Sequence, residues 1–144
     1  MNKNQVIYVA SPYSSKDDAQ RVKNFELVTQ YVAFMVSEGY TAISPITYGH
    51  LLLDYQDMPG DYEFWQNFCI SLLGKCDAMV IIKLPGWQES VGIKDEARYA
   101  DENGIPIYHL EPIPVVPVTT NMNKLKLGLN TIIQELEQQE EVVI

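Results

Sequence analysis

In the stretch LPGWQESVGIKDE, Leu84 to Glu96, Ser90, Gly92 and Glu96 stand where an apolar run gives way to a helical pattern. Serine is a preferred N-cap. With Ser90 in that role, the free amides of the first turn and the positive end of the helix dipole face whatever lies beyond the preceding run. An anion fits there. Helical side chains lean toward the helix N-terminus, so Glu96 projects back over the residue four earlier, Gly92. A glycine in a first turn costs up to about 1 kcal/mol against alanine, a cost explained if a ligand lies against the backbone. The spacing predicts a nucleotide site: an open patch with a carboxylate beside it and hydroxyl and amide donors one turn away. A plainer reading has Ser90 only capping, Gly92 incidental and Glu96 solvated near the dipole.

A second turn has related chemistry. SPYSSKDDAQR, Ser11 to Arg21, lacks the dinucleotide fingerprint and the Walker lysine pattern. It offers Ser11, Ser14 and Ser15 before a helix, with Lys16 and Arg21 close by in sequence. Such hydroxyls and helix amides hold one phosphate without a net basic field; the alternative is a serine-rich loop with an N-cap at Ser15 or Asp17. Trp87, beside the first stretch, reads as a base platform or as a packing lid. His50 stands in a segment between two regular elements, and Trp65 and Phe68, at helical spacing, read as core.

The elements that must position these residues alternate in type. VIYVA (Val6 to Ala10), TAIS (Thr41 to Ser44), DAMVIIKL (Asp77 to Leu84) and Ile105 to Leu110 read as short, doubly buried strands. Between them, Asp17 to Glu38, Asp61 to Lys75 and Ser90 to Asn103 carry apolar residues at three- and four-residue steps, with Gly39, Gly74 and Gly104 at or near the ends. Pro45 to Gly60 reads as a long loop with room for a helical turn. The pattern predicts a single α/β domain, a flavodoxin-like or Rossmann-like parallel sheet with helices on both faces, and ligands at the carboxyl ends of its strands. The core α/β segment spans 1–112. Residues 113–144 add a proline-rich connector and an amphipathic helix from Asn121 to Glu140, which is part of the same domain or an oligomer contact.

Composition narrows the partners. A formal charge of −9 in 144 residues argues against duplex nucleic acid and anionic membrane. The opening apolar run is too short for a secretory signal or a membrane span, so a cytoplasmic location is expected. Two cysteines, Cys69 and Cys76, are too few for a disulfide framework, and two histidines exclude a histidine-rich metal site.

The strand-turn IYVASPYS, the segment SPITYGH and above all CDAMVIIKLPGWQESVGIKDE resemble the nucleoside 2-deoxyribosyltransferase superfamily, and within it the 2′-deoxynucleoside 5′-monophosphate N-glycosidases. The likeness covers Ile7 to Leu110. It implies a flavodoxin-like sheet, no cofactor and no metal, and cleavage of an N-glycosidic bond by Glu96. It also implies Ser90 as the phosphate anchor, with Tyr13, Ser14 and Ser15 against sugar and phosphate and His50 near the substrate. Relatives complete their sites across subunits, which implies a homo-oligomer, with Thr119, Thr120 and Asn121 as candidate contacts. Physically, breaking a C1′–N bond passes through an oxocarbenium-like state that an ionised carboxylate stabilises and can trap. One position departs from the family pattern: Cys69 stands where relatives carry an aspartate thought to assist base departure. Asp77, His50 or solvent would then supply the proton, or the chain binds a nucleotide without cleaving it.

Overall fold

The computed structural model describes residues 1–112, 133–134 and 137–138. In chain order the elements are β1 (Val6–Ala10), α1 (Asp18–Ser37), β2 (Thr41–Ile43), α2 (Pro45–Leu52), α3 (Tyr62–Leu73), β3 (Ala78–Ile82), α4 (Val91–Glu102) and β4 (Ile107–Leu110). The four strands form one sheet in the order β2-β1-β3-β4, with every neighbouring pair parallel. The chain leaves β1 toward β2 on one side and returns to β3 on the other. β1 and β3 therefore flank the topological switch point, where open parallel sheets bind their ligands.

Alternation along the strands sorts side chains into two cores. Ile7, Val9, Val80 and Ile82 face α1, whose Val28, Tyr31, Val32 and Met35 lie at helical spacing. Tyr8, Ala10, Met79 and Ile81 face Cys69 and Leu73 of α3 and Ile93 and Ala100 of α4. Helices thus cover both faces, and β3, buried at all five positions, runs through the middle. Ile133 packs in the α1 core and Glu137 accepts a hydrogen bond from the Tyr40 hydroxyl, so this part of the C-terminal segment joins the same domain. The expected connector contacts Thr119, Thr120 and Asn121 lie outside the described residues.

The structure corrects one element. The segment read as a long loop begins with an eight-residue helix, α2. Ser44 caps it by accepting from the amides of Ile46 and Thr47, and Pro45 takes the first helical position, where its missing N–H and fixed φ are an advantage. At the end of α1, Gly39 adopts a φ of 93°, which a side chain would oppose, and turns the chain into β2. Among the described residues no helix is long and apolar enough to cross a membrane.

Candidate active site

A cavity of about 700 Å³ opens at the carboxyl edge over β1 and β3. Its floor carries Ser11 and Glu96. Its walls come from the β1–α1 turn, from α2 and α3 (Ile46, Leu53, Trp65), and from the β3–α4 turn. Of the residues expected at the site, Glu96, Ser90, Gly92, Tyr13, Ser14, Ser15 and His50 all line this one space.

Glu96 lies on the inner face of α4, with 6% of its surface exposed, and its Oε2 has no hydrogen-bond partner among the described residues. It is therefore not the solvated helix-surface residue of the plainer reading. Burial pushes its carboxyl up to about 7; the Tyr8 hydroxyl works against that shift and the Asp95 charge adds to it. Near neutrality the carboxyl is divided between its two forms, because burial disfavours the charged one. The Tyr8 hydroxyl lies close to both the Glu96 carboxyl and the Cys69 thiol, and burial, then the Glu96 charge, holds that phenol well above its ordinary range. The Cys69 thiol, which lines the cavity, is pushed up to about 12 by burial and then by the Glu96 charge. It stays protonated.

The β3–α4 turn leaves hydrogen-bond donors free at the cavity, next to the Glu89 carboxylate. Gly86 sits at a φ of 92°, allowing the sharp exit from β3. Ser90 Oγ accepts from the Ile93 amide at 3.2 Å as the N-cap of the twelve-residue α4. Its O–H remains able to donate, and the amides of Val91 and Gly92 precede the first intrahelical bond. The reason for Gly92 differs from the expected one. A Cβ there would meet the Tyr62 ring at 3.0 Å, so the surface over Gly92 is filled by Tyr62 rather than left open. Tyr62 in turn donates to Asp95 Oδ2 at 2.8 Å, joined by Gln66 at 3.0 Å, while Arg98 donates to Oδ1 at 2.7 Å. The Tyr62 bond is the main reason the Asp95 carboxyl lies below its usual range. This network ties α3 to α4.

The β1–α1 turn is closed on itself. Asp17 caps α1 by accepting from the Ala19 amide at 3.0 Å, and Ser15 Oγ accepts from the Asp17 amide at 3.1 Å. Arg21 donates to the Ser15 carbonyl at 2.6 Å and pairs with Asp18. Lys16 is exposed, and neither cation lines the cavity. The turn's role toward the cavity is carried by Tyr13, whose hydroxyl shares a 2.7 Å hydrogen bond with His50 Nδ1, and by Ser14. His50 is stacked on Phe25 at 4.1 Å between centroids.

Two other expectations change. Trp87 is not among the residues lining the cavity; it packs edge-on against His109 with Lys83 over its ring, on the β4 side of the turn. Trp65 packs against the core as expected and is in addition a cavity wall, held by its Nε1 bond to the Pro59 carbonyl at 2.8 Å. Asp77 is removed as a proton source, since it accepts from the Val6 amide at 2.8 Å at the opposite, amino edge of the sheet. Sequence reasoning missed Asn24, which lines the cavity while donating to the Tyr13 carbonyl at 3.2 Å and accepting from Gln20. Its signal was present: Asn24 shares the buried stripe of α1 with Val28, Tyr31 and Met35.

A four-stranded parallel sheet with a cavity and a buried carboxyl at its switch point makes this an α/β protein of flavodoxin-like type. Residues 5–111 match a family model described as Domain of unknown function (DUF1937), and the chain belongs to that family. No curated protein matches the chain.

Proposed function

We propose that the protein cleaves the N-glycosidic bond of a small nucleotide, a nucleoside 5′-monophosphate, by hydrolysis or base transfer, with Glu96 as nucleophile. The observation that carries this reading is the Glu96 carboxyl, buried at the floor of a large cavity with Oε2 unpartnered. The resemblance to the deoxyribosyltransferase superfamily supports it. In this reading the ionised carboxyl attacks C1′, the C1′–N bond breaks, and its electron pair leaves with the base. The base takes a proton from the protonated form of His50, which is left as neutral imidazole, or from water. Water or an incoming base then displaces Glu96. The phosphate lies at the N-terminus of α4 against Ser90 Oγ and the first-turn amides, which are neutral donors; no Lys or Arg is among the described residues lining the cavity. The base lies against Trp65 and Leu53.

The test is base release, followed by chromatography, from nucleoside 5′-monophosphates and the matching nucleosides, with wild type and Glu96→Gln. Release by wild type that is lost in the variant is expected; equal release by both overturns the role of Glu96. A second reading, nucleotide binding without turnover, is favoured by Cys69, whose firmly protonated thiol is a weak proton donor to a leaving base. Ligand-dependent stabilisation with no release would identify it. The proposal includes a cytoplasmic homo-oligomer. The exposed Tyr48, Leu51 and Phe64 on α2 and α3 suit self-association, which light scattering would measure.

A further inference from the structure

Ser11 follows the last residue of β1 and is 6% exposed. Its Oγ is buried and has no hydrogen-bond partner among the described residues, yet the residue lines the same cavity as Glu96. A buried hydroxyl without a partner costs free energy that an alanine at the same place would not. Neither strand pairing nor helix capping uses this one. Asp17 caps the following helix, and the register of β1 with β3 ends at Ala10. Among the described residues the hydroxyl therefore has no structural duty, and it belongs to the lining of the cavity that also holds the Glu96 carboxyl.

The rest of the cavity says what kind of group would meet it. Ile46, Leu53 and Trp65 give one wall an apolar and aromatic character, suited to a planar base. The floor, with a hydroxyl and a carboxyl, suits the hydroxylated part of the same ligand. A phosphate dianion would be repelled by Glu96 in its ionised form, so the group nearest the floor is neutral and both gives and takes hydrogen bonds. We propose that Ser11 is a substrate-positioning residue whose Oγ hydrogen-bonds a pentose hydroxyl and so holds the sugar over Glu96. This rests on the reading of the site as a glycosidic one and adds to it the group that orients the sugar.

The experiment pairs a protein change with a ligand change. Ser11→Ala and wild type are assayed by base release with ribonucleoside 5′-monophosphates and their 2′-deoxy and 3′-deoxy analogues, and both proteins are melted without ligand. We expect Ser11→Ala to lower kcat/KM about tenfold and to leave the ligand-free Tm unchanged or higher. One deoxy analogue should lose no further activity in Ser11→Ala, because each change removes one partner of the same bond. A several-degree fall in the ligand-free Tm with unchanged kcat/KM makes Ser11 structural and overturns the proposal. Equal losses for all analogues in both proteins overturn it as well, leaving the glycosidic reading intact. If wild type releases base from none of them, that reading fails and this proposal with it.

Discussion

At the end of β1 the next helix is capped by a carboxylate, Asp17, and its turn is tied by Arg21; at the end of β3 the next helix is capped by a hydroxyl, Ser90. Both turns leave a central strand at the carboxyl edge, and both bring serines to the cavity. The difference lies in what satisfies the helix dipole. In the first turn a negative side chain occupies the place an anion would take, and the nearby cations Arg21 and Lys16 do not line the cavity. In the second turn a neutral cap leaves amides and an O–H able to donate. Similar sequence texture therefore gives one turn that is mainly scaffold and one that is mainly site.

The largest effect expected from breaking this asymmetry is at Glu96. Glu96→Gln should lower base release by about a thousandfold or more, since among the described residues Glu96 is the buried carboxylate of the cavity, while Asp61 and Glu89 line it from exposed positions. Wild-type kcat/KM should rise with pH and level off above about 7, because the attacking form is the ionised one. A profile that falls across the same range would mean that Glu96 acts as an acid.

Folding stability should move the other way. A carboxyl whose folded pKa is raised from 4.5 to about 7 binds a proton in the native state that the unfolded chain has already lost. Its protonated form is therefore favoured by folding at low pH. Stability falls as pH rises through that interval, by up to about 3 kcal/mol. Thermal melts of wild type and Glu96→Gln should diverge from pH 5 to pH 8, with the variant more stable at the upper end. Parallel curves would mean that Glu96 is not desolvated in the folded protein.

Gly92→Ala sharpens the account of the α3–α4 lock. The added methyl meets Tyr62 at 3.0 Å and pushes on the bond to Asp95, so a loss of about 1–3 kcal/mol is expected in denaturant unfolding despite alanine's better helix propensity. A gain in stability would show that Tyr62 moves aside freely. The smallest effects compare the caps directly. Ser90→Ala and Asp17→Ala should each cost about 1 kcal/mol of stability, but only Ser90→Ala should also weaken binding of a nucleoside 5′-monophosphate, read by calorimetry. Equal binding by both variants would remove the distinction between the turns.

Much of this architecture was legible in the sequence because its signals are local. The four strands are short β-branched runs, and their helices begin at Asp17, Asp61 and Ser90, each a side chain able to cap. Only a helical turn within a long loop is legible for α2 although Ser44-Pro45 is a capping signature, because the aromatics, His50 and Gly49 that follow obscure the period. At the site, spacing correctly brought Ser90, Gly92 and Glu96 together, but it could not reveal what covers them. Tyr62 lies thirty residues from Gly92, and the neighbours of the buried Glu96 include Tyr8 of β1 and Cys69 of α3, both distant in sequence. Trp87 shows the reverse: one residue of offset in a turn sends a side chain to the far side, and only three-dimensional geometry settles which.

The most direct measurement is intact and peptide mass spectrometry of the protein quenched in acid during reaction with a 2′-deoxynucleoside 5′-monophosphate. The account predicts a deoxyribosyl phosphate adduct on the peptide carrying Glu96, absent in Glu96→Gln. Base release that continues in Glu96→Gln, or an adduct on another residue, would contradict it.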